Sequence, residues 1–149
     1  MKLRYTLPLL TLIAAGCSTP APAPAPAPAK PLAQQTQWKG TLPCADCAGI
    51  EYRLTLYRDQ YDQPTRYQLT EHYLNGKAAL TVIERGDWKV MPDSLKQAKG
   101  LDEVFVLSPN DPNSRRLFLH NAANAIELLD KEGSRIESKL NYTLLKVTN

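Results

Sequence analysis

The chain has 149 residues, with 18 Lys plus Arg against 15 Asp plus Glu, and 12 Pro. That length holds one ordinary domain plus whatever its ends carry, and excludes a large multidomain enzyme. Hydrophobic residues make up 43% and charged residues 22%, so the bulk is globular rather than disordered, while proline exceeds its usual share of about 5%.

The chain opens with Lys2 and Arg4, continues through an apolar stretch from Leu7 to Ala15, and reaches Ala14-Ala15-Gly16-Cys17. Charged, apolar and cleavage regions in this order form a secretory signal. The apolar run is shorter than the roughly 20 residues a helix needs to span a bilayer, so residues 1–16 read as a segment that is removed. Small residues followed at once by Cys resemble a bacterial lipobox, with Ala14 in place of the more usual Leu. In that reading Cys17 becomes the first mature residue and is acylated on sulfur and on its amino group. Durable attachment takes two or more chains, each buried methylene contributing about 0.8 kcal/mol. Ser18 rather than Asp after the lipid-bearing Cys implies, by the sorting rule of Gram-negative lipoproteins, passage to the outer membrane.

Residues 17–37 read as linker. Proline alternates with alanine from Pro20 to Pro28, which removes backbone donors and steers each preceding alanine away from the helical region. Such a segment favours polyproline II at about 3.1 Å per residue, giving a semi-rigid stalk of roughly 40 Å. Lys2, Arg4 and Lys30 precede Trp38, leaving 15 basic residues from there onward against all 15 acids. The folded part is therefore formally neutral, with no basic stripe interleaved with aromatics, and no nucleic-acid partner is expected. Membrane contact is expected through lipid rather than charge.

From Trp38 to Asn149 there are 112 residues, enough for one core. Residues 50–56 alternate apolar and polar as a strand with one wet face, 67–70 continue in period two, and Asn75-Gly76 favours a hairpin turn because both central positions accept positive φ. Further short runs at 80–83, 87–90, 104–107, 117–120, 125–129 and 142–147 are separated by Gly86, Met91-Pro92-Asp93, Asn110-Asp111-Pro112-Asn113 and Glu132-Gly133. Only 94–100 could hold a helical turn. The pattern predicts an all-β fold, a small antiparallel barrel or sandwich, and closure into a barrel removes unpaired edges. Trp38, Tyr52, Leu54, Leu56, Leu69, Trp88, Val106, Leu119, Leu128 and Leu144 are the expected core. A small barrel is normally filled by such side chains, and a lipophilic-ligand carrier would instead need a continuous apolar cavity.

With Cys17 assigned to lipid, the remaining thiols form Cys44-Ala45-Asp46-Cys47. Three readings stay open: a structural disulfide, a redox pair, and a soft-metal site. An oxidising compartment favours the disulfide. A catalytic redox pair should open a helix that lowers the thiol pKa, whereas this one leads into Gly49 and a strand. Zinc wants four ligands, while Cu(I) accepts two thiolates with a third donor or none. Asp46 is a hard donor poorly matched to that ion; His72, His120 or Met91 would have to be brought close by folding. Both histidines read as surface or rim positions. No nucleophile elbow, zinc-protease motif or phosphate-cradling loop occurs, so the chain is not expected to be an enzyme.

Trp38-Lys39-Gly40-Thr41-Leu42-Pro43-Cys44-Ala45-Asp46-Cys47-Ala48-Gly49-Ile50, then Gly86-Asp87-Trp88, then Ile126-Glu127-Leu128-Leu129-Asp130-Lys131-Glu132-Gly133, and finally Leu140-Asn141-Tyr142-Thr143-Leu144 resemble the NlpE N-terminal domain family of copper-resistance lipoproteins. Cys44 and Cys47 match that family's cysteine pair, with Pro43, Asp46 and Gly49 completing the motif. The resemblance implies a lipocalin-like barrel over 38–149 on an outer-membrane lipoprotein facing the periplasm. It also implies a role in copper homeostasis, with copper(I) as a candidate ligand, and signalling of envelope stress to a Cpx-type sensor kinase. Some members carry a second, oligonucleotide-binding-fold domain, which is not expected here. The alternatives are a scaffold or partner-binding lipoprotein whose disulfide is only structural, and a lipophilic-ligand carrier.

Overall fold

The computed structural model describes residues 34–75, 80–100 and 102–148, with only the backbone for 97–99. The signal segment, Cys17 and the Ala-Pro stretch lie outside the described residues. Eight strands follow in order: β1 (Gln34–Leu42), β2 (Gly49–Arg58), β3 (Pro64–Leu74), β4 (Thr81–Val90), β5 (Glu103–Leu107), β6 (Arg116–Ala122), β7 (Ala125–Leu128) and β8 (Thr143–Lys146); a short helix, α1 (Asp93–Lys99), lies between β4 and β5. Each strand pairs antiparallel with its sequence neighbour, and β8 returns to β1 through Trp38↔Lys146 and Lys39↔Leu145, closing an up-and-down barrel. The all-β expectation holds, and the helical turn expected at 94–100 is α1.

Two details depart from the periodicity reading. Strand β1 starts at Gln34, ahead of Trp38, and pairs with β2 from Gln34↔Arg58 to Leu42↔Ile50. Residues 80–83 and 87–90 belong to one continuous strand, because Gly86 is not a turn. Its missing side chain makes room for the Tyr67 ring, whose Cε1 would lie 3.0 Å from a Cβ at that position. Along β4, pairing with β3 covers Thr81 to Asp87, while pairing with β5 covers only Trp88 to Val90. Chain β5 turns away at Ser108, whose N–H donates to the Asp87 carbonyl at 3.0 Å.

The barrel axis is filled. Trp38, Leu54, Leu56, Tyr67, Leu69, Trp88, Phe105, Leu107, Phe118, Ile126 and Leu144 belong to one buried cluster. Close packing of this kind leaves no continuous apolar cavity for a lipophilic cargo among the described residues. A second apolar cluster lies elsewhere, built from Val104, Leu117, Leu119 and Leu129 with Met91 and Val106 against it. Strands β5 and β6 thus bury both faces, so strict alternation misassigns them. Leu119 is buried as expected, though in the second cluster, and Val106 is only partly buried against it, while Phe105, Leu107 and Phe118 fill the barrel. Leu128 is likewise only partly buried.

Candidate functional site

The two cysteines lie in the connection between β1 and β2, just beyond the last ladder pair, Leu42↔Ile50. Cys44 and Cys47 are joined by a disulfide with their Cα atoms 5.3 Å apart. Both are half-buried, as is Pro43, while Ala45, Asp46 and Ala48 are exposed. Pro43 fixes φ as the chain leaves the strand. The turn is held from both sides: the Ala48 N–H donates to the Leu74 carbonyl at 2.9 Å, and Asn141 Nδ2 donates to the Thr41 carbonyl at 3.1 Å. Gly49 re-enters the sheet at φ 152°, and a Cβ there would lie 2.7 Å from Thr41 Cγ2, so this corner requires glycine.

The sulfur of Cys47 lies 3.2 Å from the Gly49 carbonyl oxygen. A disulfide sulfur has no proton to donate, so this contact becomes a hydrogen bond only in the reduced thiol. Closing a loop of about four residues adds only roughly 2 kcal/mol in the chain-entropy model, on a turn the sheet already holds. Of the three chemistries the spacing leaves open, the structure carries the disulfide. Reduction would present two soft thiolates from one partly exposed turn, a donor set that suits Cu(I).

Of the third donors named from sequence, Met91 and His120 lie away from this turn. Strands β4 and β6 both run away from the cysteine end, placing Met91 after the far end of β4 and His120 near the far end of β6. His72 engages Thr81 Oγ1 through Nδ1 at 2.9 Å. Among the described residues no group of three or more His, Cys, Asp or Glu is arranged to hold a metal ion. A copper ion at this turn would draw its sulfur donors from Cys44 and Cys47, with Met91 and His120 at the far end of the barrel. His120 is also more enclosed than a rim position suggests. Its Nδ1 lies 2.8 Å from Glu103 Oε2, and its ring packs 5.5 Å from Trp38 and 5.3 Å from Phe105.

The cysteine end of the barrel also carries a polar cluster that sequence reasoning missed. Tyr67 Oη donates to Glu84 Oε1 and lies 2.7 Å from Ser108 Oγ. Arg116 Nη2 sits 3.8 Å from Glu71 and 3.7 Å from Glu84. Glu71 is buried, at the inward phase set by Tyr67 and Leu69, and that phase is the signal that could have found it. Burial, with help from Glu84, pushes the Tyr67 phenol up to about 12. Burial and the hydrogen bond to Glu71 raise Tyr52 well above the ordinary phenol range. Burial disfavours the charge on Arg116, but Tyr52, Glu84 and Glu71 outweigh it and raise its pKa. The cluster holds its phenols neutral beside a compensated ion group, which lets carboxylates sit inside the barrel.

The NlpE N-terminal domain family model matches residues 38–139. Over 116 residues the chain is 34% identical to Lipoprotein NlpE of Escherichia coli (strain K12), an alignment covering 77% of this chain and 41% of that protein. The chain thus spans about two fifths of the length of that relative. No solved structure matches the chain.

Proposed function

This chain belongs to the NlpE N-terminal domain family, and from that premise we propose that it is an envelope lipoprotein whose Cys44–Cys47 turn responds to copper and to redox state. Cys17 carries the lipid, the Ala-Pro segment spaces the barrel from the outer membrane, and the barrel faces the periplasm. The output is contact with a sensor kinase of the Cpx type.

One observation carries the reading: the cysteine pair sits on a half-exposed turn at the barrel end rather than inside the core. A bridge placed there adds little to stability and remains accessible to small thiols and ions. In the oxidised form neither sulfur is a thiolate. A dithiol reductant delivers two electrons and two protons, becomes a disulfide itself, and leaves Cys44 and Cys47 as thiols. Loss of those two protons on metal binding yields a dithiolate, whose soft sulfurs favour Cu(I) over harder cations. The hydrogen bonds from Ala48 and Asn141 hold the ends of the bridged turn independently of the sulfurs.

A second reading, a scaffold lipoprotein with a purely structural bridge, draws support from those same hydrogen bonds, since they would fix the turn without any signalling role. Native mass spectrometry of the reduced full chain with Cu(I) separates the two. The wild type is expected to take up one copper ion and Cys44→Ser/Cys47→Ser none. Equal occupancy in both would remove the turn as the metal site.

A further inference from the structure

The filled barrel does not exhaust the molecule's apolar surface. A groove of about 340 Å³ is lined by Val90, Met91, Pro92, Leu95, Val106 and Leu117 among others, within the range of about 300–1,000 Å³ typical of ligand pockets. Leu117 is a member of the second apolar cluster, and Met91 and Val106 pack against it, so the groove opens onto a packed apolar base. Leu95, on α1, is 53% exposed and forms part of the lining. Charge is asymmetric around this slot: Lys89, Arg115 and Lys131 line it with a single carboxylate, Glu132.

We propose that this groove binds a single-chain anionic amphiphile, with its alkyl tail along Val106, Leu117 and Leu95 and its carboxylate among Lys89, Arg115 and Lys131. The chemistry of the lining favours this occupant over a peptide. Apolar side chains and two prolines, Pro92 and Pro109, offer little to pair with a peptide's N–H and C=O groups, which are costly to bury unpaired. An alkyl chain brings no such groups, and its one charged end can meet the cationic side chains of the lining. The occupant is a free amphiphile rather than a bilayer, because a groove of this volume has room for one alkyl chain.

The test uses the mature chain, residues 17–149, carrying Cys17→Ser, which has neither signal segment nor lipid and so needs no detergent, titrated with octanoate and decanoate below their micelle concentrations and followed by amide chemical shifts. Complete burial of one methylene tightens binding about fourfold, so decanoate, with two more, is expected to bind about fifteenfold more tightly than octanoate. The shifts should centre on Val106, Leu117 and α1. Leu95→Glu, at an exposed position, is expected to weaken decanoate at least tenfold with the rest of the spectrum retained. Arg115→Glu/Lys131→Glu should weaken decanoate but leave 1-octanol, which has no charge, within twofold. Affinity independent of chain length, shifts confined to the barrel ends, or equal losses for decanoate and octanol would overturn the proposal. So would binding to phosphatidylglycerol vesicles with none to monomeric decanoate, which would make the surface a bilayer contact, or tighter binding of an acidic peptide than of decanoate.

Discussion

Replacing Trp88 with alanine is expected to lower the unfolding free energy by about 3 to 5 kcal/mol, the usual range for deleting a large aromatic from a packed core. The residue is 1% exposed, stands edge-on to Phe105 at 5.3 Å between ring centroids, and lies beneath the Arg58 guanidinium at 4.7 Å. Its indole N–H donates to the Tyr57 carbonyl at 2.9 Å, but that carbonyl also accepts from Thr65 Oγ1 at 2.9 Å. Truncation therefore leaves no orphaned acceptor, and the loss comes from the cavity. Against a total stability of about 5 to 15 kcal/mol for a typical domain, a loss of this size takes a large share. Urea denaturation of wild type and Trp88→Ala, with Trp88→Phe as the smaller truncation, measures it. A change below about 1 kcal/mol would mean that the ring is not a core element.

Gly40→Ala is the second large effect, and it acts at the seam rather than in the core. A Cβ at Gly40 would lie 2.7 Å from the Thr143 carbonyl oxygen and 3.2 Å from the Leu144 Cα. Both are backbone atoms of β8 and cannot rotate away. Because β8 meets β1 through only two register pairs, Trp38↔Lys146 and Lys39↔Leu145, pushing the strands apart weakens barrel closure directly. The expected cost is about 1 to 3 kcal/mol, as for other overpacked sites. It should appear as faster amide exchange in β8 and at Val147, whose N–H donates to the Gln37 carbonyl at 2.8 Å. Unchanged exchange in β8 together with an unchanged melting temperature would contradict the close approach at this seam.

These two positions illustrate what a single sequence carries. Trp88 lies in the correct alternation phase, and residues 50–56 alternate because Tyr52, Leu54 and Leu56 face the core while Arg53 is exposed, although Thr55 on the polar phase is buried too. The period fails where that condition fails. Strands β5 and β6 are covered on both sides, so Val106 and Phe105 look equally apolar and the inward phase cannot be read. Gly86 imitates a strand break because its role, space for the Tyr67 ring, depends on a residue in another strand. The extra residues at the start of β1, Gln34 to Gln37, are polar and carry no apolar alternation. Their strand character comes from pairing with β2.

At the candidate site, the short spacing of Cys44 and Cys47 already places both sulfurs on one turn, and the Gly49-Ile50 sequence marks the return to a strand. The surrounding supports were not legible. Asn141 reaches the Thr41 carbonyl from 100 residues away in the chain, a contact that only barrel closure creates. The same closure puts His120 and Met91 at the end away from the cysteines, so composition alone suggests a wider donor set than the fold assembles. The charged group of Glu71, Glu84 and Arg116 shows the converse. Residues that look like ordinary surface charge come together inside because strand phase turns them inward.

The Cys44–Cys47 turn as a responsive element is the centre of this account, and its state in the envelope is directly measurable. Quantitative thiol alkylation of the full chain, trapped in acid from cells grown with and without copper, reports whether these two sulfurs change. The expected result is a bridged pair that converts to alkylatable thiols under reducing stress, with copper protecting those thiols from alkylation. A pair that remains bridged under every condition would contradict it and leave Cys44–Cys47 as a structural link.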